Sequence, residues 1–326
     1  MFTRVRRVSY CALAAAAVAL LSSCSGSAAG SGNTAGPPIS ITVGALPVVD
    51  DVGAYIAQDQ GIFKQFGLNV KLVPVQVSTK AIPDMQSGSI DIIGGGNYVS
   101  FIQASVKDPS SPPFKILAEA ATCTSGSFSI LTLPGSKIQT PADLVGKTVA
   151  VNTMPNIQTL MINSVLSADN VDASKVKYVA IPFPKMVAAL AKHQVDAISE
   201  VEPFATTAEE VDGAQPIVDQ CSGPDASLPL SGYFSLSTWA QKNPEAVSRF
   251  QQAMAQAQDV ADTQRPVVES ALLKYVPGLT KEQAATITLE TFPTSVDADQ
   301  LNRVSDLMQE AGLIQKTLSA GSLVRG

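Results

Sequence analysis

The sequence is poor in the residues that most catalytic and metal sites require. It contains one histidine, His193, and four cysteines in 326 residues. It also has no Gly-x-Ser-x-Gly nucleophile motif and no phosphate-binding loop. His193 follows a predicted helix end at the position that Gly88 occupies in the first half, which favours a left-handed capping residue over a catalytic base. We therefore expect no enzyme, no metal site and no cofactor.

Arginine is absent between Arg7 and Arg249. The central part of the chain thus offers no guanidinium fork for a sulfonate or carboxylate. The whole chain has 22 basic and 28 acidic side chains, and removal of residues 1–23 takes away three arginines, which leaves 19 against 28. This net charge of −9 argues against nucleic acid as a partner.

Apolar runs long enough to span a membrane are also lacking. The N-terminus instead has three arginines, then an apolar run over residues 11–21, and Cys24 follows three residues later. Leu-Ser-Ser-Cys at residues 21–24 resembles the lipobox of bacterial lipoproteins; the alternative is an ordinary signal peptide with a chance cysteine. We expect residues 1–23 to be the signal peptide and residues 24–39 a flexible tether. Lipid on Cys24 would anchor the exported protein to the outer face of the cytoplasmic membrane.

Two cysteines remain after Cys11 leaves with the signal peptide and Cys24 is lipidated. Cys123 and Cys221 are an even remainder in an exported protein, which favours a disulfide between them. The alternative is two buried free thiols.

Short apolar runs alternate with helical patterns from residue 39 onward, which indicates an α/β fold with mostly parallel strands. Residues 85–93 and 190–198 share one pattern of helix end, tight turn, aspartate and strand, at an offset of 105 residues. Two similar βαβ lobes with a ligand cleft between them follow from this repeat. Residues after 232 change to amphipathic helices, predicted over 244–263, 266–275, 281–289 and 297–312.

A set of motifs resembles one family of binding proteins. The motifs are residues 43–44 and 55–68, then 85–95, 144–150, 186–190 with 195–197, and 202–204. Together they resemble the sulfonate, nitrate and thiamine-precursor (SsuA/THI5-like, NMT1) group of solute-binding proteins. These proteins have the type II-like periplasmic-binding-protein fold and serve ABC importers.

The resemblance implies two lobes joined by crossover strands near residues 118–122 and 229–234. Lobe I would comprise residues 40–119 and 230–326 with the C-terminal helices, and lobe II residues 120–229. It also implies a small-molecule ligand, an ABC transporter permease as partner and a monomeric protein.

Ligands of open α/β sheets bind outside the carboxyl ends of the strands, near helix N-termini. We therefore expect the ligand to contact Leu46, Asp50, Asp51, Tyr55, Thr79, Lys80, Gly95, Gly96, Asn97, Thr153, Met154, Asn156, Phe183, Lys185, Glu200 and Glu202.

Several of these residues have an ordinary structural alternative. The two adjacent aspartates can be solvated turn residues, and Thr79 can cap a helix. Tyr55 and Phe183 can belong to the core. For Gly95 and Gly96 we favour close approach of the backbone to a ligand over a simple tight turn.

The sequence thus predicts an extracytoplasmic solute-binding lipoprotein for a sulfonate-, nitrate- or pyrimidine-like molecule. One alternative is an enzyme like the relatives that make the thiamine pyrimidine. That enzyme type draws on a cysteine-rich stretch that this chain does not have. The other alternative is a receptor coupled to a signalling protein.

Overall fold

The computed structural model describes residues 36–107 and 113–324. The signal peptide, Cys24 and residues 24–35 of the expected tether lie outside these ranges. None of the helices within them is long and apolar enough to cross a membrane.

Ten strands form two separate sheets of five. In chain order they are β1 (Ile39–Ala45), β2 (Leu68–Pro74), β3 (Ile92–Asn97), β4 (Phe114–Thr122), β5 (Phe128–Thr132), β6 (Thr148–Val151), β7 (Lys177–Ala180), β8 (Ala197–Val201), β9 (Gln215–Asp219) and β10 (Pro229–Leu236).

The two sheets have equivalent topologies. The first has the order β2-β1-β3-β10-β4 and the second the order β7-β6-β8-β5-β9. The first three strands of each sheet are parallel, and the fourth pairs antiparallel with both neighbours. Each antiparallel strand arrives from the other sheet, because β5 follows β4 and β10 follows β9. Two chain segments, 123–127 and 220–228, therefore connect the sheets.

The helices of the described residues are α1 (Val52–Asp59), α2 (Ile62–Gln65), α3 (Ile82–Ser87), α4 (Tyr98–Ser105), α5 (Ile157–Ala168), α6 (Phe183–Ala191), α7 (Phe204–Asp212), α8 (Ser237–Lys242), α9 (Pro244–Thr263), α10 (Arg265–Tyr275), α11 (Lys281–Thr286), α12 (Ala298–Glu310) and α13 (Ala320–Val324).

The internal repeat has a physical basis in two equivalent aspartates. Asp91 Oδ2 accepts a hydrogen bond from Thr42 N at 2.8 Å, and Asp196 Oδ2 accepts one from Thr148 N at the same distance. Each aspartate thus ties the turn before a strand to the neighbouring parallel strand. The residues that end the preceding helices, Gly88 and His193, have φ of 78° and 53°. The capping role predicted for His193 is confirmed.

Some predicted helix bounds were wrong for identifiable reasons. The sequence pattern predicts one helix over residues 54–66, but the structure has two, α1 and α2, because Gly61 between them has a left-handed φ of 70°. The helix expected over 281–289 ends at Thr286, because Ile287 turns to an extended conformation with ψ of 142°. The following residues then run beside β4, where Thr122 and Thr291 exchange backbone hydrogen bonds of 2.9 and 3.2 Å.

The C-terminal helices pack on the first sheet, as the sequence predicts. Gln258 of α9 donates from Nε2 to the carbonyl oxygens of Glu119 and Ala120 at 2.9 and 2.7 Å. Gly53 of α1 permits this close packing, because a Cβ there would lie 2.1 Å from Gln258 Oε1. Arg249 Nη1 also donates to the carbonyl oxygen of Gly67 at 2.8 Å.

The structure contains the predicted disulfide between Cys123 and Cys221, with 5.2 Å between the Cα atoms. Both cysteines are buried, at 4% and 3% exposure. Cys123 N also donates to the carbonyl oxygen of Leu228 at 2.9 Å. The bond therefore joins the two segments that connect the sheets.

Candidate ligand-binding site

A small cavity of about 30 Å³ lies between the two sheets, at the carboxyl ends of several strands. This volume suffices for one or two water molecules. We call it the central cavity. Its lining residues are Leu46, Val48, Asp50, Ser78, Gly95, Asn97, Phe128, Asn152, Asn156, Ile157, Gln158, Phe183, Val201, Leu230 and Ser231.

Both sheets contribute to the wall of the central cavity. From the first sheet come the residues after β1 and the end of β3, together with the start of β10. From the second come the residue after β6, the starts of α5 and α6, the start of β5 and the end of β8. The wall can therefore be complete only when the sheets are close together.

The two asparagines at helix starts are occupied by their own helices. Asn97 Oδ1 accepts from Ser100 N of α4, and Asn156 Oδ1 accepts from Thr159 N of α5, both at 3.0 Å. These N-cap contacts satisfy backbone donors that would otherwise attract an anion. The N-termini of α4 and α5 are thus less available to a ligand than the sequence pattern indicates.

Asn152 and Gln158 form the polar part of the wall in the second sheet. Gln158 Oε1 accepts from Asn152 N at 2.6 Å, and its Nε2 donates to the carbonyl oxygen of Ser199 at 2.6 Å. Gln158 is therefore fully engaged. Asn152 is 7% exposed, and its Nδ2 has no hydrogen-bond partner among the described residues. A buried donor without a partner is costly, so this atom is suited to a ligand acceptor.

Asp50 is the one charged side chain among the described residues that line the central cavity. Its Oδ2 accepts from Ser231 Oγ. Burial raises the pKa of Asp50, although the Ser231 hydrogen bond opposes this effect. Burial also raises the pKa of Glu290 well above its ordinary value, and the negative charge of Asp50 adds to this.

Asp51 explains the run of glycines at the end of β3. Its Oδ2 accepts from Leu46 N at 2.6 Å, and burial raises its pKa well above the ordinary value. A Cβ on Gly94 would lie 2.1 Å from Asp51 Oδ1, and one on Gly95 would lie 2.8 Å from Oδ2. A Cβ on Gly96 would lie 2.6 Å from Phe234. The close approach that requires glycine here is thus made by protein side chains, and of these glycines Gly95 also lines the cavity.

A wider opening of about 990 Å³, which we call the outer groove, lies next to the cavity. Its wall includes Thr79, Ser100, Thr153, Met154 and Pro155, together with residues 313–319 and Ser322. Thr79 and Thr153 follow Ser78 and Asn152 in the chain, and both of those line the central cavity. The threonine Oγ1 atoms are 3.5 Å apart. The two threonines thus lie between the outer groove and the central cavity.

The structure sorts the sequence-predicted ligand residues into three groups. Lining the central cavity are Leu46, Asp50, Gly95, Asn97, Asn156 and Phe183. Thr79, Thr153 and the exposed Met154 line the outer groove. Lining neither space are Asp51, Tyr55, Gly96, Lys80, Lys185, Glu200 and Glu202.

Residues in the last group have other surroundings. Tyr55 is buried and donates its hydroxyl to the carbonyl oxygen of Leu46. Lys80 and Lys185 are exposed. Glu202 accepts from Thr206 Oγ1 at 2.9 Å and from Thr288 N at 3.1 Å. Glu200 is fully buried, and burial raises its pKa well above the ordinary value.

Sequence reasoning missed nine lining residues. They are Val48, Ser78, Phe128, Asn152, Ile157, Gln158, Val201, Leu230 and Ser231. Asn152 carried a usable signal, because it directly follows the apolar residues 149–151 at the carboxyl end of β6. Phe128 and Ser231 gave no such signal. They lie near the amino ends of β5 and β10, which run antiparallel to their neighbours, so a rule about carboxyl ends does not select them.

The sequence of this chain matches the NMT1/THI5-like family over residues 49–265. The chain belongs to the NMT1/THI5-like family. No curated protein sequence matches the chain.

Solved structures with the same fold extend the family comparison. The alkanesulfonate-binding protein SsuA from Xanthomonas axonopodis pv. citri, bound to MOPS, has a TM-score of 0.73 at 18% identity, over 88% of this chain and 99% of that one. A Candida albicans protein with the generic periplasmic binding protein fold has a TM-score of 0.71 at 16% identity, over 88% and 96%. The desulfurization enzyme DSZB has a TM-score of 0.62 at 16% identity, again over 88% and 96%. At these identities the likeness establishes the periplasmic binding protein fold, as predicted.

Proposed function

We propose that this NMT1/THI5-like chain is the solute-binding component of an ABC importer. It would bind a small polar organic molecule, sulfonate-, nitrate- or pyrimidine-like, and deliver it to a permease. In this proposal the protein is an exported monomer, anchored outside the cytoplasmic membrane by lipid on Cys24. The observation that carries the binding role is the central cavity, whose wall is completed by residues of both sheets.

The binding cycle would be an opening and closing of two lobes. Lobe I would be residues 40–119 and 230–326, and lobe II residues 120–229. Contacts between the sheets support a closed state here: Val49 N donates to the carbonyl oxygen of Glu202 at 3.1 Å, and Ser100 Oγ to that of Pro155 at 2.8 Å. A cavity of about 30 Å³ is far below the few hundred cubic ångströms that organic ligands fill. The lobes must therefore separate to admit the solute.

Binding without catalysis is favoured by the location of the reactive side chains. His193 is exposed on the second sheet's side and does not line the central cavity. Cys123 and Cys221 are consumed in the disulfide. Because the enzyme DSZB shares the fold, the fold alone does not exclude catalysis. A test of binding must therefore also measure chemical conversion of the solute. Coupling to a signalling protein would use the same cavity.

A thermal-shift screen of the mature protein against sulfonates, nitrate, pyrimidines and amines tests the proposal. A solute at 100 times its dissociation constant should stabilise the protein by about 2.7 kcal/mol. Small-angle scattering should then show compaction, and mass spectrometry should recover the solute unchanged. Chemical conversion of the solute would instead support an enzyme. A confirmed ligand without compaction would contradict the two-lobed mechanism.

A further inference from the structure

We infer that the solute carries a protonated nitrogen, which binds against Asp50 in the central cavity. This inference rests on the proposed binding function and narrows its solute class to small organic cations and zwitterions. The fold alone does not determine the charge of the ligand.

The charge balance of the cavity is the first argument. Asp50 lines it, is 7% exposed, and has no cationic side chain beside it among the described lining residues. The two lysines expected to supply positive charge, Lys80 and Lys185, are exposed and outside the cavity. A buried carboxylate without a counter-charge is unfavourable. A cationic ligand would supply that charge, whereas nitrate or a simple sulfonate would meet a like charge.

The acidic surroundings behind Asp50 strengthen this preference. Asp51 and Glu290 both interact with Asp50 but do not line the cavity, and Glu290 is 4% exposed. Burial raises the pKa of Asp50, which favours its protonated form. A positive charge placed next to it would lower that pKa and favour the ionised form. Ligand binding and ionisation of Asp50 would therefore support each other.

Asn152 provides an independent sign of a ligand. Its buried Nδ2 lacks a partner among the described residues, although the side chain lines the cavity. Asp50 comes from the first sheet and Asn152 from the second. A solute with a protonated nitrogen and an acceptor oxygen or nitrogen would satisfy both, and would join the two lobes in doing so.

The apolar part of the wall suits the same solute. Phe128 and Phe183 line the cavity with Leu46, Val48 and Leu230. Aromatic faces attract organic cations, and the aliphatic side chains exclude water from the ion pair. The wall thus has one negative group and a neutral, partly aromatic remainder.

Matched pairs of compounds test the inference, each pair differing in an amine against a hydroxyl. The pairs are taurine and isethionate, ethanolamine and ethylene glycol, and aminomethylpyrimidine and hydroxymethylpyrimidine. Calorimetry on the mature protein at neutral pH should show the amine of at least one pair binding at least about tenfold more tightly than its hydroxyl twin. In Asp50→Asn the preference within that pair should fall to about threefold or less.

Two further variants separate a direct contact from a general loss of charge or fold. Glu119→Gln removes a buried carboxyl outside the cavity and should keep the amine preference. Asn152→Ala should weaken both members of a pair alike, because the acceptor that it binds is common to them. Circular dichroism and the melting temperature of each unliganded variant show whether it is folded.

Different results would contradict the cationic solute and the proposed binding function. Tight binding of isethionate or nitrate, with the amines no better, would overturn the cationic solute while leaving the binding function intact. An amine preference that persists in folded Asp50→Asn would overturn the role of Asp50. If no compound of any class binds, both this inference and the proposed solute classes fail.

Discussion

Thr79 and Thr153 face each other across the two halves of the molecule, with 3.5 Å between their Oγ1 atoms. Thr79 follows a residue that lines the central cavity from the first half, and Thr153 follows one that lines it from the second. The two threonines are 74 positions apart in the chain, so the fold brings them together. In the proposed two-lobed mechanism the pair forms on closure, and it provides a place to test closure.

The double variant Thr79→Cys, Thr153→Cys should form a disulfide under mild oxidation. Sulfur atoms replacing these oxygens need only a small rotation to come within bonding distance of about 2.05 Å. The crosslink should hold the lobes closed, so that the association rate of a confirmed ligand falls by at least about tenfold and recovers on reduction. Stopped-flow binding measures this, with Thr79→Cys alone as the control. Unchanged association with the crosslink intact would show that entry does not require separation of these residues.

Cys24→Ser should release the protein from the membrane. Lipid on that thiol is the one attachment that the sequence predicts, and the described helices offer no membrane span. Detergent phase separation of cell fractions should move the variant to the aqueous phase, while Cys221→Ser should remain with the wild type in the detergent phase. Retention of Cys24→Ser in the detergent phase would contradict the lipoprotein prediction.

The parts of the fold that were predictable are those specified locally. The parallel strands follow short apolar runs, and the aspartates Asp91 and Asp196 mark equivalent turns in each half. Strand β5 was missed although all five of its residues are buried, because periodicity alone does not distinguish a short buried strand from a buried helix segment.

The site was less predictable than the fold, because its composition depends on contacts between distant segments. Glu290, from the helical tail, lies beside Asp50, 240 positions earlier in the chain. The rule on strand ends identified Asp50 and Asn156, but it could not give side-chain direction. The rule therefore selected Lys80, which is exposed. It also gave no indication that Asp51 packs against the glycines of β3.

Glu119 should make stability depend on pH near neutrality. Burial raises the pKa of this carboxyl to about 7 from an ordinary value of 4.5, although Thr122 Oγ1 donates to it at 2.7 Å. The folded protein therefore holds a proton that the unfolded chain has lost, and the stabilisation present below pH 4.5 is lost as the pH rises through 7. The shift corresponds to about 3 kcal/mol at most.

Urea unfolding of Glu119→Gln between about pH 5 and pH 8 tests this. The variant should gain stability relative to the wild type as the pH rises, because the neutral amide cannot ionise. Glu310→Gln, which alters an exposed carboxyl on α12, serves as the control and should follow the wild type. Parallel curves for Glu119→Gln and the wild type would mean that Glu119 is ionised in the folded protein throughout.

The disulfide between Cys123 and Cys221 should stabilise the protein without controlling ligand affinity. It closes a loop of 98 residues, and the chain-entropy model assigns such a loop about 4.7 kcal/mol as an upper guide. Cys123 directly follows β4 and Cys221 follows β9, and both fall within residues 120–229, so we expect the bond to lie within lobe II and to leave the lobes free to move. The double variant Cys123→Ser, Cys221→Ser should therefore unfold at a lower urea concentration, yet bind ligand with nearly unchanged affinity at low temperature. Thiol titration of the unfolded, unreduced wild type should find neither cysteine free. If the folded double variant instead loses ligand binding, the bond holds the cavity wall itself, and the hinge must lie elsewhere than near residues 118–122 and 229–234.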